Sequence, residues 1–89
     1  MWDRIQKLIG CTIYTVGRDK PFQIMEVTET TCTIRVESTG KPRLIQKKEF
    51  ENALRVGNVS SLTPSLLRKK GASEVNPAYV VAILKHIYN

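Results

Sequence analysis

Hydrophobic and polar positions along this chain follow two periods in succession. Up to about residue 46 they tend to alternate, as in half-buried strands; from residue 47 onward they recur every three to four residues, as on one face of a helix. The alternation is plainest over residues 31–37. Cys32, Ile34 and Val36 fall on one side, and Thr31, Thr33, Arg35 and Glu37 on the other. Residues 11–16, CTIYTV, are rich in β-branched and aromatic types and predict another strand, with Cys11, Ile13 and Thr15 on one face. A strand over 21–27 opens on Pro21, where a missing N–H costs least. Its apolar positions are Phe22 and Ile24, then Met25 and Val27. That change of phase predicts a bulge or coverage on both faces. A short strand over 43–46 follows Pro42, which suits an edge. The polar connections at 17–20, 28–30 and 38–41 are of hairpin length, so the four strands are expected to form an antiparallel meander.

Helices are predicted at both ends. Over 2–9, Trp2, Ile5, Leu8 and Ile9 share a face, and Gly10 is a natural stop. Over 47–56, Phe50, Ala53 and Leu54 form the apolar stripe, with Val56 and Gly57 closing it. Residues 58–62 read as a loop. Thr63-Pro64 then opens a helix over 64–70 that Gly71 ends, and Asn76-Pro77 opens another over 77–88. The last carries Val80, Ile83, Leu84 and Ile87 at i, i+3, i+4 and i+7. The expected fold is therefore α+β: a four-stranded β-meander (11–16, 21–27, 31–37, 43–46) with an N-terminal helix and three C-terminal helices packed on it. The 89 residues make one domain, 1–89.

Charge changes this picture. The chain carries a net +6 at neutral pH. Residues 41–70 hold eight Lys/Arg against two acids, while the other 59 hold six of each. Charge of this size often serves only solubility. Its confinement to thirty residues argues instead for an anionic partner, and clustered bases neutralise phosphates with release of counterions. The expected nucleic-acid contacts are Arg35, Lys41, Arg43, Lys47, Lys48, Arg55, Arg68, Lys69 and Lys70. Arg35 and Arg43, on adjacent strands, are expected to share a polar sheet face that Lys47, Lys48 and Arg55 continue. DNA and RNA stay open at this point. An interaction module meeting an acidic protein partner is the alternative.

Catalytic and metal chemistry find little footing. The one histidine, His86, sits near the end of the last helix, where packing and the helix dipole account for it. Cys11 and Cys32 lack metal-ligand spacing and fall at apolar-alternating positions, so both are expected to be buried. Gly40-Lys41 lacks the upstream glycine and following Ser/Thr of a phosphate loop. Glu49 and Glu51 cannot converge on a cation from one helix. A non-catalytic protein without cofactor or metal is the expectation. The helices at 64–70 and 77–88 outline a helix-turn-helix, but a six-residue connection is too long for one. Val81 and Tyr88 widen the apolar surface of the last helix, which would suit a homodimer. No apolar run approaches the ~18 residues of a membrane span. The charged start MWDRIQKLIG does not resemble a leader, so a cytoplasmic location is expected.

Overall fold

The computed structural model describes residues 1–88. Among them, four strands form one antiparallel sheet in sequence order: β1 (Thr12–Tyr14), β2 (Pro21–Val27), β3 (Thr31–Val36) and β4 (Pro42–Gln46). The helices are α1 (Trp2–Gln6), α2 (Lys47–Val56), α3 (Pro64–Lys69) and α4 (Pro77–Tyr88), with a turn of 3-10 helix at Val59–Ser61 inside the expected loop. The α+β class and the meander are those the periodicity predicts.

Strand parity decides which side chains meet the core. β2 pairs with β3 through Phe22↔Val36 and Ile24↔Ile34, then through Glu26↔Thr33 and Val27↔Cys32. Met25 has no partner, so of the two readings of the phase change the structure has the bulge. The extra residue returns Val27 to the side of Phe22 and Ile24. β3 pairs with β4 through Cys32↔Ile45 and Ile34↔Arg43. One sheet face thus gathers Ile13, Phe22, Ile24, Cys32, Ile34, Val36 and Ile45, all buried. On the other face Thr12, Tyr14, Arg35 and Leu44 are exposed.

The buried face meets α4. Pro77 and residues 80–84 of this helix are all buried. The predicted stripe is present, but Val81 and Ala82 are enclosed as well. α4 touches α1, α2, α3, the 3-10 turn and β1, so residues 80–84 are covered from within the chain, while Tyr88 stays 42% exposed. Val81, one of the two residues that suggested a homodimer, is therefore already packed at home.

Several boundaries differ from expectation for local reasons. α1 stops at Gln6 because the next turn tightens: the Leu8 N–H donates to the Ile5 carbonyl at 3.0 Å, three residues back. Gly10, at φ 86°, then turns the chain so that its N–H meets the Ile24 carbonyl at 2.8 Å. Ile9 consequently stays 49% exposed rather than joining the helical stripe. β1 ends at Tyr14, two residues early, because Thr15 closes the hairpin loop. Its N–H donates to the Lys20 carbonyl and its hydroxyl accepts from the Lys20 N–H, both at 3.0 Å. Cys11 lies outside β1 and is exposed, which corrects the expectation that both cysteines are buried. α3 ends at Lys69 with Lys70 as its cap residue, and Thr63 caps its start by accepting the Leu66 N–H at 3.1 Å.

Two outcomes follow from this core. Leu84→Ala removes a fully buried side chain from the enclosed helix, and urea unfolding is expected to show a loss of about 2–5 kcal/mol. Burial pushes the Cys32 thiol up to about 12 from its ordinary 9.0. The unfolded thiol ionises first, so the Cys32 contribution to stability is intact below pH 9 and declines as pH rises toward 12. A thiol-reagent titration at pH 8.5 is expected to count one reactive cysteine, Cys11, in the folded protein and two in denaturant.

Candidate nucleic-acid interface

The hairpin between β1 and β2 projects two cations that the linear charge distribution did not single out, Arg18 and Lys20. They are held by the closed loop at 15–20, in which Gly17 and Asp19 take positive φ (90° and 51°) and the Asp19 N–H donates to the Thr15 carbonyl at 3.0 Å. Opposite them stand Arg43 from the start of β4 and Arg68 from the last turn of α3. These four bases line a cleft of about 490 Å³. Its remaining walls are Thr15, Val16, Pro64, Ser65, Val75, Pro77, Ala78 and Tyr79, and no carboxylate is among them. Asp19 belongs to the hairpin but does not line the cleft.

Arg43 is positioned by a stack of aromatic contacts. Its Cζ lies 5.5 Å from the centroid of the Tyr79 ring. Tyr79 in turn meets the buried Phe22 edge-on, with centroids 5.1 Å apart and planes at 77°. The chain of contact runs from the core through Tyr79 to an exposed guanidinium. The floor of the cleft includes the first turn of α4, whose leading N–H groups have no intrahelical acceptor. Asn76, just before that helix, is buried and donates from Nδ2 to the Leu44 carbonyl at 3.2 Å. This bond ties the start of α4 to β4, and so to Arg43.

The nine bases expected to bind nucleic acid are distributed over several places. Arg43 and Arg68 meet in the cleft. Arg55 and Lys70 line a second depression of about 370 Å³, where the Arg55 guanidinium also donates to Asn52 Oδ1 at 3.2 Å. Lys69 is exposed beside them on α3. Lys41 sits in the turn before β4. Lys47 lies 5.6 Å over the Trp2 ring. Lys48 lines a groove that also holds Glu49 and Glu74. Glu49 is engaged locally, accepting from the Gln46 N–H at 2.8 Å and from the Ser73 hydroxyl at 2.7 Å.

The expectation that Arg35 and Arg43 share a sheet face is corrected by the register. Arg43 pairs with Ile34, and Arg35 with Pro42, so the two guanidiniums leave opposite faces. Arg35 stands on the open face with Tyr14 and Leu44. Arg43 is on the helix side, beyond the end of the core. The signal was available, since Arg43 and Ile45 are two residues apart on one strand. For Arg18 and Lys20 the available signal was the polar hairpin loop.

His86 is exposed and shares a shallow groove with Thr12 and Tyr14. Among the described residues no three of His, Cys, Asp and Glu gather closely enough to hold a metal ion. Nor, among them, is any helix long and apolar enough to cross a membrane. Comparison with protein-family models, curated proteins and solved structures finds no match to this chain.

The Thr15 hydroxyl is what pins Lys20 to the rim. Thr15→Val leaves the Lys20 N–H without that acceptor and is expected to cost about 1 kcal/mol. Hydrogen exchange at the Lys20 amide should quicken measurably while amides of β3 stay protected.

Proposed function

We propose that this protein is a non-catalytic nucleic-acid-binding protein or accessory domain that grips the sugar–phosphate backbone. The observation that carries this reading is the cleft in which Arg18, Lys20, Arg43 and Arg68 converge with no carboxylate in the lining. A basic surface that served solubility alone would have no reason to concentrate cations in a concavity. Concave walls of low dielectric focus the field of such charges and raise the local concentration of anions. Lys69, Lys70 and Arg55 lie farther along α3 and across from it on α2, where they would extend the contact to neighbouring phosphates. Lys41 lies close in sequence to Arg43 and is the remaining base of this group. Lys47, Lys48 and Arg35 are assigned weaker roles, since they lie with Trp2, beside carboxylates and on the opposite sheet face.

A second reading, an interaction module with a protein partner, is supported by the open sheet face. Tyr14 and Leu44, on the two edge strands of that face, are 57% and 56% exposed. Co-purification that survives nuclease treatment would favour it.

Fluorescence anisotropy with labelled mixed-sequence DNA and RNA tests the first reading. Binding is expected to weaken with salt along a log–log slope of about −3 to −5, as for four to six neutralised phosphates. Replacing both Lys20 and Arg68 by Gln should make the slope shallower by about 1.4 to 1.8. Absence of binding at low salt to either polymer would refute it.

A further inference from the structure

The cleft has more than a polyanion needs. Phosphates alone would be served by cations on an open surface, such as the exposed Lys69. Here the cations share a recess with apolar walls, among them Val75 and Val16, which are 74% and 48% exposed. An exposed valine gains nothing beside a phosphate, but it gains by covering the flat, weakly hydrated face of a base. We propose that the cleft captures one unpaired nucleotide of a single-stranded nucleic acid, with its phosphate on Arg18, Lys20 and Arg68 and its base laid against the Arg43 guanidinium. This inference rests on the backbone-binding reading above and names its substrate class.

Arg43 is the residue that makes the choice of a base specific. A guanidinium is planar and stacks on aromatic rings, whereas an ammonium is a hydrated point charge. The Arg43 Cζ already lies over the Tyr79 ring, 5.5 Å from its centroid. Phe22 fixes Tyr79 from behind at 5.1 Å. The guanidinium is therefore placed before any ligand arrives, and Arg43 is exposed, leaving it open to the stacking that bases of single strands use. Preorganisation lowers the ordering cost of binding. Arg18 and Lys20 reach the same recess from the hairpin and Arg68 from α3, so the phosphate of the captured nucleotide meets charge from two sides. The first turn of α4 lies along the same wall and adds its positive end.

Geometry excludes a stacked duplex from this role. In a duplex both faces of every base are covered and the phosphates lie on a convex surface. A base can enter a recess only from a single strand, or after being turned out of the helix at the cost of unstacking. The cleft is built from the hairpin loop, β4, α3 and α4 together, so no one element can flatten to accept a duplex.

The test uses the whole chain and three probes: a mixed-sequence single-stranded 12-mer, its duplex and AMP, each titrated by anisotropy or calorimetry at two salt concentrations. The single strand is expected to bind about tenfold more tightly than the duplex, the size of one base stack. Arg43→Lys keeps the charge and removes the plane. It should bring the single strand to the affinity of the duplex while the salt slope and duplex affinity stay unchanged. Lys20→Gln, at an exposed position, should weaken both polymers and make the slope shallower by about 0.7 for the single strand. Equal binding of single strand and duplex, with Arg43→Lys silent, would overturn nucleotide capture and leave backbone binding standing. AMP binding as tight as the single strand would also overturn it, by assigning the cleft to a free nucleotide. No salt-dependent binding of either polymer would overturn the underlying reading and this inference with it. Thermal melts of both variants close to the parent establish that affinity, not folding, is being compared.

Discussion

Enclosing α4 is the constraint on which the rest of the structure turns. Pro77 and residues 80–84 are out of water, so the helix must be surrounded rather than merely laid on a sheet. Full burial of one Val, Leu or Ile side chain is worth about 1.5–3 kcal/mol, and α4 supplies Val80, Val81, Ile83 and Leu84 in a row. The sheet covers one side. Ile5 of α1, Phe50 and Ala53 of α2, Leu62 and Leu67 complete the same apolar cluster. The short α1 is held there by bonds that no eight-residue amphipathic stripe would need. Trp2 donates from its indole N–H to the Thr28 carbonyl at 2.8 Å, and Arg4 donates to the Ile87 carbonyl at 2.9 Å. Arg4 also lies 5.6 Å from the centre of the Tyr88 ring, near the negative end of the α4 dipole.

The proposed site is a by-product of that enclosure. Because α4 starts at the edge of the core, its first turn, the end of α3, the start of β4 and the first hairpin all come together beyond Phe22. Tyr79 is the hinge between the two regions, packed at a steep angle on a buried aromatic and lying under a cation. Core packing and the orientation of Arg43 are thus one problem rather than two. The Asn76 bond to the Leu44 carbonyl adds a second link between the same two elements.

Much of the fold was legible because short-range signals agreed. Alternation in β3, the Thr63 cap and the Pro77 start of the last helix each name one local geometry that the structure has, and the one-residue phase shift around Met25 resolves into a bulge. What failed depended on particular backbone and side-chain bonds that periodicity does not encode. Ile9 left the helix because Gly10 hydrogen-bonds to Ile24, fifteen residues beyond Ile9. β1 stopped early because Thr15 binds Lys20 instead of continuing its ladder. The site was legible only in part. Charge per segment pointed at Arg43 and Arg68, and summing charge along the chain hid Arg18 and Lys20, whose acidic neighbour Asp19 cancels one of them on paper but not at the cleft wall. Arg43 was misplaced through parity, which its two-residue spacing from Ile45 already contained, while Arg35 faces outward as the alternation of β3 predicts.

The unmatched Met25 has a bearing on how this sequence can change over time. On either side of it the two halves of β2 read their pleat in opposite phase, and each half is right only because one residue stands between them. Point substitutions at Met25 are cheap, since its side chain is exposed. Losing the position altogether is a different matter: Val27 would rotate to solvent or Phe22 and Ile24 would, and no single exchange of side chains repairs either. Drift at this locus is therefore free in identity and closed in length, so descendants of this chain can be expected to vary the letter while keeping the count.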